Sequence, residues 1–167
     1  YNRKQSKNVA FFREKRGKTM TAEEAISYLL EKRQSDFHPA PDRMTRLMER
    51  LGDPQKKLRF VHVAGTNGKG STSCLIASAL TAAGYRTGLY TSPHLSHFSE
   101  RIRVGDEPIP NEAIARLADQ VRRAEESLSV PVAAFDRMTA AAFLWFIECG
   151  CEIVVLEVGL CGLLDAT

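Results

Sequence analysis

The sequence predicts an α/β fold, a doubly wound and mostly parallel sheet carrying a P-loop-like phosphate cradle. Three observations predict it. Strand-like and helix-like segments alternate along the chain; a glycine-rich stretch at 65–71 sits between one of each; and residues 152–158 form the near-continuous apolar run of a strand buried on both faces.

The elements follow in order. Thr21-Ala22-Glu23-Glu24 reads as a capping box, with Ile26, Leu29 and Leu30 at helical spacing behind it. A loop holding His38, Pro39 and Pro41 leads to a short helix at 42–51, where Met44, Leu47, Met48 and Leu51 line one face and Gly52 and Pro54 stop it. Residues 59–64 alternate and are rich in β-formers, and after the glycine-rich turn residues 69–83 read as a helix closed by Gly84. A second strand at 86–90 runs into the loop Thr91-Ser92-Pro93-His94-Leu95, and 102–104 with Gly105-Asp106 reads as a brief extended segment and turn. Asn111 is read as the cap of a long helix reaching about 129. Its Ile114, Leu117, Ala118, Val121 and Leu128 face inward, while Arg116, Arg122, Arg123, Glu125 and Glu126 form a solvated face. Residues 138–149 read as an apolar helix buried nearly all round.

Composition fits one globular domain: 167 residues, 44% hydrophobic and 26% charged. The net charge of +3 is unevenly placed, because residues 1–19 hold seven Lys/Arg against the single acid Glu14, leaving −3 for 20–167. That basic opening lacks the apolar core of a secretory signal and is read as a peripheral extension preceding a domain at 20–167. The longest apolar run, 140–147, is far short of the ~20 residues that span a bilayer. Cys74, Cys149, Cys151 and Cys161 show neither paired spacing nor a zinc-finger histidine partner, so reduced thiols in a cytoplasmic protein are expected. Small-molecule partners are expected rather than nucleic acid or membrane.

In Gly65-Thr66-Asn67-Gly68-Lys69-Gly70-Ser71 the glycines let successive backbone N–H groups point into one concavity, and the following helix adds its positive end. Lys69 supplies a mobile cation and Ser71 a hydroxyl, a set that suits ATP. The strict pattern G-x-x-x-x-G-K-[ST] is missed twice, with Val63 at the first glycine and Gly70 between Lys69 and Ser71. Triphosphate with a divalent cation needs oxygen ligands. Glu157 is a carboxylate ending an otherwise apolar strand, at the edge where open α/β sheets bind ligands, and Asp165 is a weaker candidate of the same kind. His94 and His97, near Ser92 and Glu100, could imitate a metal cluster; loop packing or substrate contact is the reading preferred.

GTNGKGS, then TSPHL followed by FSERI at 98–102, then FDRMTAAAF at 135–143, then LEVGLCGLLDAT at 156–167 together resemble the folylpolyglutamate synthase and dihydrofolate synthase family of the Mur-ligase superfamily. Gly70 within the loop and TSPHL after it favour the folate branch over the cell-wall Mur ligases. The resemblance implies a Mur-ligase central-domain fold, present here in part, with the separate C-terminal glutamate-ligase domain outside this chain. It also implies an ATP- and Mg²⁺-dependent ligase. A carboxylate of folate or dihydropteroate attacks the γ-phosphate, and the amino group of L-glutamate then converts the acyl phosphate to an amide. Carried over position by position, Lys69 and its loop bind ATP, Ser92 and Glu157 hold magnesium, Phe135, Asp165 and Ala166 contact the pterin, and Arg101 is a folate-side contact. The family's usual GLGGRLDATN departs here at Cys161 and Leu163, Asp136 replaces a glutamate, and Ser99 stands where asparagine is common. Exchanging glycine for Cys or Arg for Leu removes backbone freedom or a planar cation. With these departures, and with the C-terminal domain outside this chain, the chain alone is expected not to ligate glutamate. A degenerate nucleotide-binding or regulatory module is the alternative, and a P-loop kinase or hydrolase is disfavoured by TSPHL and LEVGL.

Overall fold

The computed structural model describes residues 20–32, 42–159 and 165–167. The basic opening, the His38/Pro39/Pro41 loop, Cys161 and Leu163 lie outside the described residues.

Helix α1 (Ala22–Leu30) starts at the capping box the sequence announces. Glu24 N–H donates to Thr21 Oγ1 at 3.2 Å, and Thr21 N–H donates to the Glu24 carboxylate at 2.8 Å. Helix α2 (Asp42–Arg50) buries Leu47 and Met48, and a 3₁₀ turn (Pro54–Lys57) leads into β1 (Arg59–Val63). Next come α3 (Lys69–Ala82), β2 (Thr87–Tyr90), a second 3₁₀ turn (Phe98–Arg101), β3 (Ile102–Val104) and β4 (Glu107–Pro108). The described chain continues through α4 (Asn111–Glu126), α5 (Ala134–Glu148) and β5 (Ile153–Glu157).

The sheet runs β1-β5-β2-β3-β4. Strands β1, β5 and β2 are mutually parallel, with Val63 opposite Glu157 and Tyr90 opposite Leu156, whereas β3 and β4 join antiparallel. The expected parallel character thus holds at the centre and gives way at one edge. The tight turn at Gly105 is long enough for a hairpin and far too short for a crossover.

Side-chain alternation along β5 sends Val154 and Leu156 to one layer and Val155 to the other. On the Val155 side α3 packs through Ala77 against Val63 and Leu89. The opposite face carries the larger core, built from α5 with α1, α2 and α4 around it. Helices therefore cover both faces, as a doubly wound sheet requires. Gly88 leaves room for the ring of Phe146 from α5, since a Cβ there would sit 2.7 Å from Phe146 Cδ1. Gly88→Ala is expected to cost about 2 kcal/mol in chemical denaturation, the typical penalty of overpacking.

Two helix starts differ from the sequence reading. Asn111 is the first helical residue of α4, and the cap position before it is taken by Pro110, at an extended ψ of 152°, whose ring has no acceptor with which to cap the helix. Helix α5 begins at Ala134 rather than 138, because the buried Asp136 carboxylate accepts the Ala133 N–H at 3.0 Å and caps the turn. Its neighbour Arg137 is fully buried, donates from Nη2 to the Glu31 carbonyl and stacks 4.9 Å over the Tyr28 ring. Those contacts dock α1 against the first turn of α5.

Candidate functional site

The glycine-rich loop leaves the end of β1 and enters α3 through Gly68, whose φ of +74° marks the left-handed region that glycine adopts without strain. Thr66, Asn67, Gly68 and Ser71 are exposed, and the Lys69 ammonium folds back to donate to the Gly65 carbonyl at 3.0 Å. Gly70 faces the end of β5. A Cβ at Gly70 would lie 3.5 Å from both carboxylate oxygens of Glu157.

Glu157 is only 6% exposed, and one of its oxygens accepts the Ser92 N–H at 2.9 Å. Loop, serine and carboxylate therefore meet beyond the carboxyl ends of three adjacent parallel strands, where open α/β sheets place ligands. A buried carboxylate against a helix N-terminus and a glycine cradle is a donor set suited to a hard divalent cation shared with phosphate oxygens. Among the described residues no cluster of three or more His, Cys, Asp or Glu forms a closed metal cage. A cation here would complete its shell from phosphate and water, as magnesium commonly does.

A second group lies around Tyr90. Its ring centroid is 5.9 Å from that of Phe135, and its hydroxyl accepts from Thr139 Oγ1 at 3.2 Å. Burial drives the phenol well above its ordinary pKa, opposed by the Thr139 bond and the nearby Arg101 charge, while Asp165 and Asp136 add to the rise. Arg101 is buried, and that burial lowers its own proton affinity. Asp165 accepts from Thr167 N–H at 3.0 Å and from Thr167 Oγ1 at 2.6 Å, while the Thr167 carbonyl lies 2.7 Å from His62 Nε2. Asp136 pairs with Arg43 of α2 at 3.2 Å. Gly159, two residues beyond Glu157, lets these groups close up. A Cβ there would come within 2.8 Å of Phe135 Cζ and 3.1 Å of Asp165 Oδ2.

No protein-family model matches the chain. It is 42% identical over 125 residues to the dihydrofolate synthetase of Saccharomyces cerevisiae, covering 75% of this chain and 29% of that protein. Over 150 residues it is 42% identical to the dihydrofolate synthase/folylpolyglutamate synthase of Bacillus subtilis, covering 87% of this chain and 35% of that protein. The chain belongs to the folylpolyglutamate synthase and dihydrofolate synthase family. A solved complex of a folylpolyglutamate synthase with AMPPCP and folate superposes with a TM-score of 0.84 at 37% identity, covering 89% of this chain and 37% of that one. The chain spans only part of the curated relatives it matches, 29% of the yeast protein and 35% of the Bacillus subtilis one.

In this family member Gly70, Ser92 and Glu157 are brought together, while the ammonium of Lys69, next to Gly70 in the chain, rests on the Gly65 carbonyl. Arg101, Phe135 and Asp165 gather around Tyr90, and Ala166 is half-buried beside Asp165. His94 and His97 both take part in packing their own loop. His94 Nδ1 accepts from Arg101, and His97 N–H donates to Glu100. Tyr90, Thr139 and Gly159 were not singled out from sequence. The available signals were a tyrosine ending an apolar strand, a hydroxyl inside an apolar helix, and a glycine directly after the Glu157-Val158 strand end.

Proposed function

We propose that this chain forms the nucleotide- and acceptor-facing part of an ATP-dependent ligase that adds L-glutamate to the carboxylate of a folate or a dihydropteroate. One observation carries the reading: Gly70 of the phosphate loop lies against the same buried Glu157 carboxylate that holds the Ser92 backbone. The folate complex of a similar protein and the dihydrofolate synthetase name of another support the acceptor class.

Lys69 and the loop N–H groups bind the triphosphate and oppose the charge that spreads onto its oxygens during transfer. Glu157 and Ser92 are the residues that would hold magnesium. When bound, that ion supplies charge neutralisation at the phosphates. Arg101, Phe135, Asp165 and Ala166 hold and orient the acceptor so that its carboxylate meets the γ-phosphorus in line, which accounts for much of such catalysis. The acceptor oxygen bonds to phosphorus as ADP leaves with the electron pair of the broken P–O bond. The glutamate amine then attacks the acyl carbon, losing a proton as phosphate departs.

Calorimetric titration tests the reading. Saturable binding of magnesium-AMPPCP and, separately, of folate or dihydropteroate is expected. No nucleotide binding would reject the cradle, and nucleotide binding without either acceptor would reject the acceptor side. Gly159→Ala is expected to weaken acceptor binding roughly tenfold by displacing Phe135 and Asp165, while magnesium-AMPPCP affinity holds.

A further inference from the structure

Arg101 is a buried cation, 8% exposed, and among the described residues no carboxylate lies within ion-pair distance of it. Its recorded partner is an imidazole instead. Arg101 Nε donates to His94 Nδ1 at 2.7 Å. A guanidinium has no lone pair to give, so this bond requires the lone pair on His94 Nδ1 and puts the ring proton on Nε2.

His94 is itself held in place. Its ring packs edge-on to Phe98 at 6.2 Å between centroids. The chain just beyond it is wrapped around Glu100, whose carboxylate accepts the N–H groups of Leu95 at 2.8 Å, Ser96 at 3.0 Å and His97 at 2.8 Å. Those backbone bonds keep the Glu100 carboxyl below its ordinary range, so the staple persists at neutral pH. A fixed acceptor at Nε removes one degree of freedom from a long side chain and leaves the two terminal nitrogens for bidentate contact. Arg101 directly precedes Ile102, which pairs with Tyr90 across β2 and β3, and its carbonyl accepts the Thr91 N–H at 3.0 Å, so it lies beside the group that joins Tyr90 to Phe135 and Asp165.

We infer that His94 is a positioning residue: by accepting from Arg101 Nε, it aims the terminal guanidinium nitrogens at a carboxylate of the acceptor bound around Tyr90. The inference rests on the reading of Arg101 as an acceptor contact. A buried unpaired cation is costly, and a ligand carboxylate is the counter-charge that the described protein does not provide.

Three variants of the full chain test it. His94→Leu removes the acceptor, His94→Asn replaces Nδ1 by an amide oxygen at similar reach, and Arg101→Ala removes the cation. His94→Leu should weaken folate binding about tenfold with magnesium-AMPPCP affinity unchanged, and His94→Asn should recover most of the loss. By ¹⁵N NMR the Arg101 Nε proton should exchange slowly in wild type and His94→Asn, and at least about tenfold faster in His94→Leu. Equal exchange in all three proteins overturns the inference, whether or not folate binds. So does wild-type folate affinity in His94→Leu when Arg101→Ala has lost it, or an equal loss of folate and nucleotide in His94→Leu. Folate bound as tightly by Arg101→Ala as by wild type instead rejects the acceptor role of Arg101. Absence of folate binding in wild type rejects the acceptor side of the proposed function and leaves the proton-exchange comparison to decide His94.

Discussion

Lys69→Ala is expected to weaken magnesium-AMPPCP binding roughly a hundredfold, at the upper end of what one hydrogen-bonded charge contributes. The ammonium is the one mobile cation in the loop, and it donates to its own Gly65 carbonyl, so it is held over the cradle. A bound phosphate would replace a neutral carbonyl with charged oxygens, a stronger acceptor for the same donor. The side chain is partly exposed and its loop lies at the surface, so global stability should change by less than about 0.5 kcal/mol. Lys69→Arg should rescue poorly, because a planar fork does not substitute for a compact ammonium against one phosphate group. Unchanged nucleotide affinity in Lys69→Ala, measured by calorimetry beside a thermal melt, would place the phosphates somewhere other than this loop.

Glu157→Gln should abolish the magnesium dependence of nucleotide binding. The amide keeps a carbonyl oxygen for the Ser92 N–H, which wild-type Glu157 accepts at 2.9 Å, so the strand end keeps its shape while the negative charge is lost. Nucleotide affinity with saturating magnesium should fall about tenfold to a hundredfold, toward the value measured in chelator. Glu157→Ala should lose stability as well, since it leaves the Ser92 N–H without its acceptor and empties space at a site only 6% exposed. A Glu157→Gln protein that responds to magnesium as wild type does would show that this carboxylate is not a ligand. Comparing titrations with and without the ion distinguishes loss of the metal from loss of the cradle, because only the second lowers affinity in chelator.

Much of the proposed nucleotide side was legible in the sequence because its signals are local. A glycine-rich turn between an alternating strand and a helix needs no distant residue to be recognised, and Glu157 is conspicuous as a carboxylate closing an apolar run. The Thr21 to Glu24 capping box and the Leu47 and Met48 face of α2 are likewise short-range patterns that the structure retains. The proposed acceptor side was legible only through family resemblance, for its residues come from four separate stretches. Tyr90 ends β2, Arg101 ends a 3₁₀ turn, Phe135 opens α5 and Asp165 follows β5. Polar residues in the Phe135 to Met138 stretch also hid the first turn of α5, because Asp136 and Arg137 are buried through partners that periodicity cannot show.

The chain order of elements, the glycine cradle and the apolar character of the central strand were determined by the sequence, since backbone freedom, capping and side-chain period act over a few residues. The tertiary structure alone decided that β5 inserts between β1 and β2, which sets Glu157 opposite Val63 and beneath Gly70. It also decided that β3 and β4 turn back antiparallel, that Gly159 must stay bare for Phe135 and Asp165 to meet, and that Arg101 rests on an imidazole. Strand order and side-chain partnership depend on which distant surfaces pack together, and that is a property of the whole core rather than of any segment.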